Sequence, residues 1–528
     1  MTASSSRPPP PAVAMPSHHP SLRDWLGVLA MVVGMFLAIM DIQIVTSSLA
    51  QIGGGLSATS DEIGWVQTSY LVADVIMIPL SAMLSRILST RVLFTCASLG
   101  FAATSALCAS ATSLNQMIIF RALQGFNGGA LVPSVFPVVY TLFPPRQLAT
   151  LMVLISLILN LSSTLGPTIG GYLTETYSWH AMFLVNVVPG VAVAAAVWTL
   201  INIDKPDFSL LRRFDVLGLV LMAVFLGTLQ YVLQEGARWD WFADRTITWT
   251  IAVCAVTGLL FLSRALSYRQ PIIDLRTFVN RNFALGVFYS FVIGTGLYGA
   301  TYLVPLFLME VRGYNSLEIG LTVFVTGASQ MAVSPFTNLL ARWLDLRIML
   351  AIGMALFVLA MVLNASLTDE AGFEQLLVPQ AVRGVALMFC FLPANMIALG
   401  SLSPERLKNG ASLYNLLRDL GGAFSIAAIG TLMNDRLHFH WNRLIEAINP
   451  ARPPVEQFLA QQSLRLSARI PGDPGHAALQ LLAGLVERQA LTLTFNDLLL
   501  LLAVGFAFGL LLIPFLEKPH LRLRAEPS

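Results

Sequence analysis

The chain has 528 residues, of which 56% are hydrophobic and 11% are charged. Soluble globular domains carry about 25% charged residues, so this chain cannot cover the surface of a large soluble enzyme or of a string of soluble domains. The formal net charge of +2 also excludes the strongly basic surface that nucleic-acid binding requires. Composition therefore predicts a polytopic membrane protein.

Reactive residue types form no pattern typical of a disulfide framework, a metal site or ATP hydrolysis. All four cysteines fall in long apolar runs, whereas a disulfide framework would place them in exposed loops. The seven histidines form no helical or Cys/His ligand pattern, and every lysine is followed by Pro or Asn, which excludes a GxxxxGK[ST] phosphate loop. We therefore predict no metal and no cofactor.

Fourteen segments are apolar over the roughly 20 residues that a helix needs to cross the hydrocarbon of a bilayer. They cover approximately residues 25–45, 62–83, 92–111, 115–140, 148–173, 181–202, 215–235, 246–266, 282–310, 317–341, 347–366, 376–400, 408–433 and 494–516. The chain before residue 25 is rich in Pro and Ser and has no hydrophobic periodicity, so we expect a disordered tail there.

The distribution of basic residues predicts the orientation of these spans. Of the 31 Lys and Arg residues, 19 lie in the two tails and the even-numbered loops, and 3 lie in the opposite short loops. Because cytoplasmic loops hold the excess of Lys and Arg, both termini are predicted to be cytoplasmic. The segment 434–493 then lies outside the cytoplasm, and it is far longer than a normal connection.

Two pairs of similar segments are separated by nearly the same distance along the chain. Residues 79–91 and 335–347 share five identities at an offset of 256, and residues 121–125 resemble residues 380–384 at an offset of 259. This repeat predicts two parallel six-helix bundles with an inserted two-helix hairpin, fourteen transmembrane helices in all, which is an all-α polytopic membrane protein with the major facilitator fold. The basic residues of its turns are candidates for conformational gating: Arg86, Arg91, Arg342 and Arg347.

The predicted organisation follows from the spans and the repeat. In chain order its parts are a cytoplasmic tail at 1–24, a six-helix bundle at 25–202, a linker and the inserted hairpin at 203–266, five helices of the second bundle at 267–433, an extracytoplasmic loop at 434–493, the last helix at 494–516 and a cytoplasmic tail at 517–528.

Ionisable side chains inside the predicted spans each cost roughly 2.5–3.5 kcal/mol on insertion scales, so each is a functional candidate. Asp41 in span one, Asp74 in the middle of span two and Arg121 in span four are candidates for proton coupling. Alternatives stay open: a helix break stabilised by Asp41, a structural pair between Asp74 and an arginine, and a tethering role for Arg121. Arg418 and Asp419 are interpreted as structural, because adjacent residues point to different helix faces.

Polar side chains within the spans mark a candidate substrate pocket between the halves, although each is equally compatible with a helix–helix hydrogen bond. They are Gln67, Tyr70, Asn160, Tyr298, Tyr302 and Asn395. Small residues at helical spacing are expected to let two helices approach closely, and a proline within such a run permits bending. The residues of these motifs are Gln124, Gly125, Gly129, Gly166, Pro167, Gly170 and Gly171.

These motifs together resemble the fourteen-span drug:proton antiporters of the major facilitator superfamily, the EmrB/QacA type. Residues 121–129 resemble the span-four motif that the family associates with proton coupling, residues 166–171 its span-five antiporter motif, and residues 40–45 its acidic motif of span one. Residues 227–242 of the predicted hairpin match a pattern specific to the fourteen-span branch.

The chain departs from the family pattern in three places. In the span-one motif, Gln43 and Thr46 stand where Thr and Asn are usual, which leaves Asp41 as its firmest element. Ala82, Ser85 and Ser89 stand where the wider superfamily favours Gly, Asp and Gly, so the family's gating salt bridge does not carry over to this loop. Asp74 stands where EmrB-like relatives tend to have a neutral amide, which favours a second proton site or a counter-charge for cationic substrates.

The resemblance implies proton-coupled efflux of amphipathic or hydrophobic drugs or toxic compounds across a bacterial inner membrane by alternating access, with the proton gradient in place of a cofactor. It also implies a periplasmic membrane-fusion adaptor and an outer-membrane channel as partners, with residues 434–493 as a candidate docking surface. Two other classes stay open, a proton-coupled importer of a small organic solute and a non-transporting membrane sensor or scaffold. The span-five motif favours exchange over import.

Overall fold

Every regular element in the described part of the chain is helical. The computed structural model describes residues 20–59, 62–268, 271–448, 452–467 and 473–518. Its α-helices are α1 (Leu22–Ser47), α2 (Leu49–Leu56), α3 (Trp65–Leu88), α4 (Thr90–Ala109), α5 (Leu114–Leu142), α6 (Pro145–Thr176), α7 (Trp179–Leu184), α8 (Val187–Leu200), α9 (Val216–Glu235), α10 (Arg245–Ser267), α11 (Arg281–Glu310), α12 (Ser316–Trp343), α13 (Leu346–Asn364), α14 (Phe373–Leu399), α15 (Pro404–Ala447), α16 (Pro453–Ser467) and α17 (Pro474–Leu511).

Each predicted span overlaps one of these helices, the sixth being divided between α7 and α8. Within the described residues, 12 helical segments are long and apolar enough to cross a membrane. The helices α5 and α6, with 29 and 32 residues, are not among those 12. The prediction of a polytopic all-α protein is thus confirmed, whereas the count of fourteen spans stays a prediction.

The first helix begins before the predicted limit of the N-terminal tail. α1 starts at Leu22, because Ser21 and Asp24 form a capping box: the Ser21 hydroxyl oxygen accepts from Asp24 N, and Ser21 N donates to Asp24 Oδ2 at 2.8 Å. Residues 1–19 of the predicted tail lie outside the described residues, as do residues 519–528 at the other terminus.

The helices form two bundles, α1–α8 and α11–α17, which pack against each other through α6 with α12 and α3 with α15. The helix α9 packs on α10 and also on α3 and α15. The beginning of α1 and the end of α17 lie at one end of the molecule, called the terminal end below. There Arg23 donates to Thr199 O at 2.6 Å, and Glu517 N donates to Asn282 Oδ1 at 3.0 Å.

The segment 434–493 differs in form from the connecting loop that its polarity predicts. α15 continues without a break to Ala447, α16 follows, and α17 begins at Pro474, between about five and six turns before the predicted last span. His440 Nε2 lies 2.9 Å from Asp497 Oδ2, which ties α15 to α17. The hydropathy of the sequence indicates where a helix leaves apolar surroundings. α15 and α17 continue as helices beyond that point, where they contact each other.

Candidate functional site

Glycines in α5 allow it to pack close to α3, and this contact fixes the position of Asp74. A Cβ atom at Gly125 would lie 2.8 Å from the carbonyl carbon of Tyr70, and one at Gly129 would lie 2.6 Å from the Asp74 carbonyl oxygen. Real Cβ atoms do not approach backbone so closely, so only glycine permits this packing. The backbones of Tyr70 and Asp74 therefore rest directly on α5.

Asp41 is fully buried and accepts hydrogen bonds from three side chains. Arg121 Nη1 donates to Asp41 Oδ2 at 2.5 Å, while Gln124 Nε2 and Asn186 Nδ2 donate to Asp41 Oδ1 at 3.1 and 2.6 Å. Asp41 lies on α1, Arg121 and Gln124 lie on α5, and Asn186 lies just before α8. The network thus joins three parts of the first bundle around one buried ion pair.

Arg121 is also fully buried and makes further contacts within the first bundle. Its Nε donates to Val66 O at 3.2 Å, and its guanidinium carbon lies 4.3 Å from the centroid of the Tyr70 ring. Tyr70 in turn is one of the residues that line the central cavity described below. Arg121 therefore contacts a residue of the cavity wall.

The glycine and proline run of α6 packs against α1 beside Asp41. A Cβ atom at Gly166 would lie 3.2 Å from Met40 O and would overlap the Gln43 side chain. Pro167 lines the central cavity, and Gly170 and Gly171 are buried.

A cavity of about 350 Å³ lies between the two bundles. Its wall comes from the parts of α1, α3 and α11 that are remote from the terminal end, with further contributions from α9 and α15. Four of the predicted pocket residues line it, together with Asp74: they are Gln67, Tyr70, Tyr298 and Tyr302.

Across the cavity from Asp74, α15 presents a charged pair. Arg418 Nε donates to Asp419 Oδ1 at 3.2 Å, and the Tyr298 hydroxyl donates to the same oxygen at 3.3 Å. Asp74 itself makes no hydrogen bond in the described part of the chain and lies within the electrostatic reach of Arg418 and Asp419. The cavity therefore contains two carboxyl groups and one guanidinium.

Arg418 and Asp419, interpreted above as structural, form an ion pair with each other and both line the cavity. Their structural role stays a prediction. In the structure α15 is 44 residues long, and the pair lies about four turns from its first residue.

Among the predicted pocket residues whose side chains are described, Asn395 does not line the cavity. Asn395 accepts a hydrogen bond from the Tyr140 hydroxyl at 3.3 Å, a contact that links α14 of the second bundle to α5 of the first bundle away from the cavity wall. The side chain of Asn160 lies outside the described residues.

The halves meet at the terminal end through contacts that the predicted gating residues do not make. Lys408 Nζ, near the start of α15, lies 2.5 Å from Asp204 Oδ2 and donates to Ser85 O at 3.1 Å. Asp204 also accepts from the Thr90 amide at 3.0 Å and from its hydroxyl at 2.7 Å. Among the described residues, Asp204 and Lys408 thus form an ion pair that joins the two bundles. Ser85, which stands where the superfamily favours Asp, accepts from Lys408 through its backbone carbonyl.

Of the predicted gating residues whose side chains are described, none crosses between the bundles. Arg86 is exposed, and Arg91 lies over the Trp198 ring at 4.8 Å. Arg347 pairs with Asp345 at 2.9 Å. Hydrogen bonds from Arg347 lower the pKa of the Asp345 carboxyl below its ordinary value. The side chain of Arg342 lies outside what the structure describes.

Sequence reasoning missed two glutamines of the inserted hairpin, Gln230 and Gln234, which line the cavity. A signal for them was present, because both fall within the hairpin pattern at residues 227–242. Their contact with the pocket depends on where α9 packs, which a single sequence does not reveal. Among the described residues, no group of three or more His, Cys, Asp or Glu residues could hold a metal ion.

Comparison with known proteins identifies the family. Residues 31–426 match the family model described as Major Facilitator Superfamily. The chain is 38% identical over 503 residues to the colistin resistance protein EmrB of Acinetobacter baumannii, covering 94% of this chain and 97% of that protein. It is 31% identical over 436 residues to the multidrug export protein EmrB of Escherichia coli K12, covering 82% and 85%.

Solved structures share the fold at low identity. A bacterial homolog of the human lysosomal transporter Spinster, inward-facing and unoccupied, aligns with a TM-score of 0.53 and 14% identity over 96% of this chain and 100% of that chain. The proton:xylose symporter XylE aligns with a TM-score of 0.55 and 12% identity over 92% and 95%. The family match and the EmrB relatives confirm the predicted resemblance: the chain is a membrane transporter, not an enzyme, and belongs to the Major Facilitator Superfamily in its EmrB-like group.

Proposed function

We propose that the chain exports amphipathic, cationic compounds across a bacterial inner membrane in exchange for protons. Asp74 carries this proposal, because it lies in the cavity between the halves, 8% exposed and without a hydrogen bond in the described residues. A carboxyl group in that position can hold either a proton or a cationic substrate. Relatives named for colistin, multidrug and fatty acid resistance support export as the direction of transport.

Asp41 and Arg121 form the second part of the proposed coupling mechanism. Protonation of Asp41 would release Arg121, whose guanidinium lies against the Tyr70 ring of the cavity wall. Substrate in the cavity and a proton on Asp41 would then be linked through Tyr70. Two carboxyl groups also answer an energetic need: exchange of one proton for one monocation moves no net charge and uses only about 1.4 kcal/mol per pH unit.

The conformation supports alternating access. The Asp204–Lys408 pair closes the terminal end, and the cavity lies in the opposite half of the bundle. With both termini in the cytoplasm, as the basic loops predict, this conformation is closed toward the cytoplasm and its cavity lies on the side of substrate release.

The proposed partners are a periplasmic adaptor and an outer-membrane channel. The described helices between residues 434 and 493 lie away from the terminal end, on the side that is periplasmic in the proposed orientation. Cross-linking from positions around Trp441 is expected to capture the adaptor in cells that contain it, and a capture yield equal to that from Arg86 at the terminal end would contradict this docking role.

Substrate-induced proton release in proteoliposomes tests the proposed function. A panel of dyes, other cations, fatty acids and antibiotics is added to the wild-type transporter, and at least one cationic amphipath is expected to release protons. The Asp74→Asn variant should lose this release. The Asp240→Asn variant serves as the matched control, because Asp240 is exposed outside the cavity and asparagine tolerates its positive φ of 50°.

The outcomes of this experiment are distinct. Absence of proton release from the wild type with every compound would overturn proton-coupled exchange. Full release from the Asp74→Asn variant would remove Asp74 from the mechanism.

A further inference from the structure

The first helix of the inserted hairpin is a wall of the cavity as well as a link between the halves. α9 packs between α3 of the first bundle and α15 of the second. Gln230 and Gln234 of α9 line the same cavity as Asp74 and Asp419. The inserted hairpin therefore contributes side chains to the space in which substrate would bind.

Specific contacts hold α9 against both halves at the end remote from the termini. The Thr68 hydroxyl of α3 donates to Glu235 Oε1 at 2.9 Å, and this bond is buried. Just beyond α9, Trp241 Nε1 donates to the Thr431 hydroxyl oxygen of α15 at 2.8 Å. These bonds keep the cavity-lining turn of α9 in place beside both bundles.

The inner face of α9 changes character where it reaches the cavity. Gly218, Met222 and Leu226, spaced four residues apart, form a buried apolar stripe, and the next two positions at the same spacing are Gln230 and Gln234. Gln230 is 2% exposed. Burying an amide on a membrane helix costs free energy unless the amide has a polar partner. Gln230 is therefore expected to have such a partner during transport.

The residues of the cavity wall include unpaired hydrogen-bond acceptors and more acidic than basic side chains. Within the described residues, Oε1 of Gln230 and Oε1 of Gln67 have no hydrogen-bond partner. The cavity also holds the carboxyl groups of Asp74 and Asp419 against the one guanidinium of Arg418. A ligand that brings positive charge and N–H donors complements this wall, whereas a quaternary ammonium brings the charge alone.

We propose that Gln230 of the inserted hairpin is a substrate-binding residue that selects protonated amines bearing N–H donors over quaternary ammonium compounds. This inference rests on the proposed function of the cavity as the transport site. An amine nitrogen beside Asp74 donates an N–H to Gln230 Oε1, which otherwise stays unpaired. A quaternary ammonium of the same chain length makes the charge contact and leaves this oxygen unpaired.

The test compares two probes that differ only in their N–H groups, dodecylamine and dodecyltrimethylammonium. Binding is measured by calorimetry on the full chain in lipid nanodiscs, with empty nanodiscs as the reference. For the Gln230→Leu variant, the Kd for dodecylamine is expected to rise about tenfold, the loss of one hydrogen bond to a charged donor. The Kd for dodecyltrimethylammonium is expected to change less than twofold.

Two further variants separate a binding role from a packing role. Gln230→Glu keeps an acceptor oxygen and is expected to retain or tighten the binding of dodecylamine. Thr228→Val is the matched control on the same helix, because the Thr228 hydroxyl donates to Val224 O of its own helix and does not line the cavity. It should leave both Kd values unchanged.

The ratio of the two Kd values decides the outcome. A Gln230→Leu variant that binds both probes equally less well, or both as well as the wild type, overturns the assignment of Gln230. A variant that folds poorly lowers the active fraction for both probes and leaves the ratio readable. Proton release by the wild type with an amine and with a quaternary dye is measured in parallel, so a failure of the proposed function is recognised separately.

Discussion

At the scale of single residues, the two acidic side chains of the first bundle lie in opposite environments. Asp41 has hydrogen bonds from Arg121, Gln124 and Asn186, whereas Asp74 has none in the described residues. Removing one partner from a fully buried ion pair leaves an uncompensated charge, which costs about 3–5 kcal/mol. Asp41 is therefore bound tightly into the bundle, and Asp74 is the carboxyl group that we propose an incoming substrate meets.

One residue-scale prediction concerns the turn between α3 and α4. Ser89 has a φ of 79° and a ψ of 152°, a region of backbone space that is essentially confined to glycine. The Ser89→Gly change is expected to raise the free energy of unfolding by about 1 kcal/mol, since it relieves strain worth about 1–3 kcal/mol and loses a weak cap to Val92 N of 3.4 Å. The apparent melting temperature in detergent measures this.

The matched control for that change is Ser110→Gly. Ser110 follows α4 with an ordinary φ of −100°. Glycine there adds flexibility to the unfolded chain and removes the hydrogen bond from the Ser110 hydroxyl to Leu107 O at 2.8 Å, so it should lower the melting temperature. Equal losses of stability for Ser89→Gly and Ser110→Gly would contradict the account of strain at Ser89.

At the scale of elements, helices pack through the faces on which small residues allow their backbones to approach closely, because apolar side chains cover all faces of a membrane helix. The Gly125 and Gly129 face of α5 lies on the backbone of α3, and van der Waals packing of this kind is a main source of helix association within a membrane. The contact also sets the height of Asp74 relative to the cavity. We call this contact of Gly125 and Gly129 with the α3 backbone the seam. A substitution in the seam should therefore affect stability and transport together.

The Gly125→Ala variant tests this seam. A Cβ atom would lie 2.8 Å from the carbonyl carbon of Tyr70, so α5 and α3 must separate, and overpacking of this kind typically costs about 1–3 kcal/mol. We expect a lower melting temperature and a loss of transport. Gly505→Ala in α17 is the control, because a Cβ atom there meets nothing within 4 Å, and alanine in a helix interior should preserve or raise stability. A stable, active Gly125→Ala variant would contradict the claim that the seam requires glycine at this position.

Sequence alone predicted the elements better than their contacts. Apolar runs of about 20 residues located a helix at every predicted span, because the bilayer imposes that length. They did not reveal that α15 extends to Ala447, since helix formation continues beyond the apolar run. They also gave no sign that Arg418 and Asp419 line the cavity, because this depends on how α15 packs against the other helices.

At the scale of the whole molecule, the two bundles touch at one end and are separated by the cavity at the other. The ion pair of Asp204 and Lys408 joins the bundles at the terminal end, and the cavity separates them in the opposite half. The repeat predicted two parallel halves, and the family match confirms that fold. The repeat could not identify this ion pair, because Asp204 and Lys408 lie outside the repeated turns and meet only when the halves close.

The Lys408→Ala variant tests the closure of the terminal end. Both side chains of the pair are about one-fifth exposed, so the pair is worth about 1 kcal/mol or less, and its loss should shift the population toward the alternative conformation by up to about fivefold. Spin labels at positions 208 and 405, in a background without the native cysteines, should report longer distances. Lys205→Ala, one residue from Asp204 and exposed, should leave the distances unchanged. Unchanged distances in Lys408→Ala would contradict the gating role of the pair.

The most direct test of proton-coupled export through this cavity is the accumulation of a cationic dye, ethidium, in proteoliposomes with an acidic interior. The account predicts accumulation that rises about tenfold per pH unit for each proton exchanged, vanishes when the gradient is collapsed and is lost in Asp74→Asn. Accumulation that is equal with and without the gradient, or unchanged in Asp74→Asn, would contradict it.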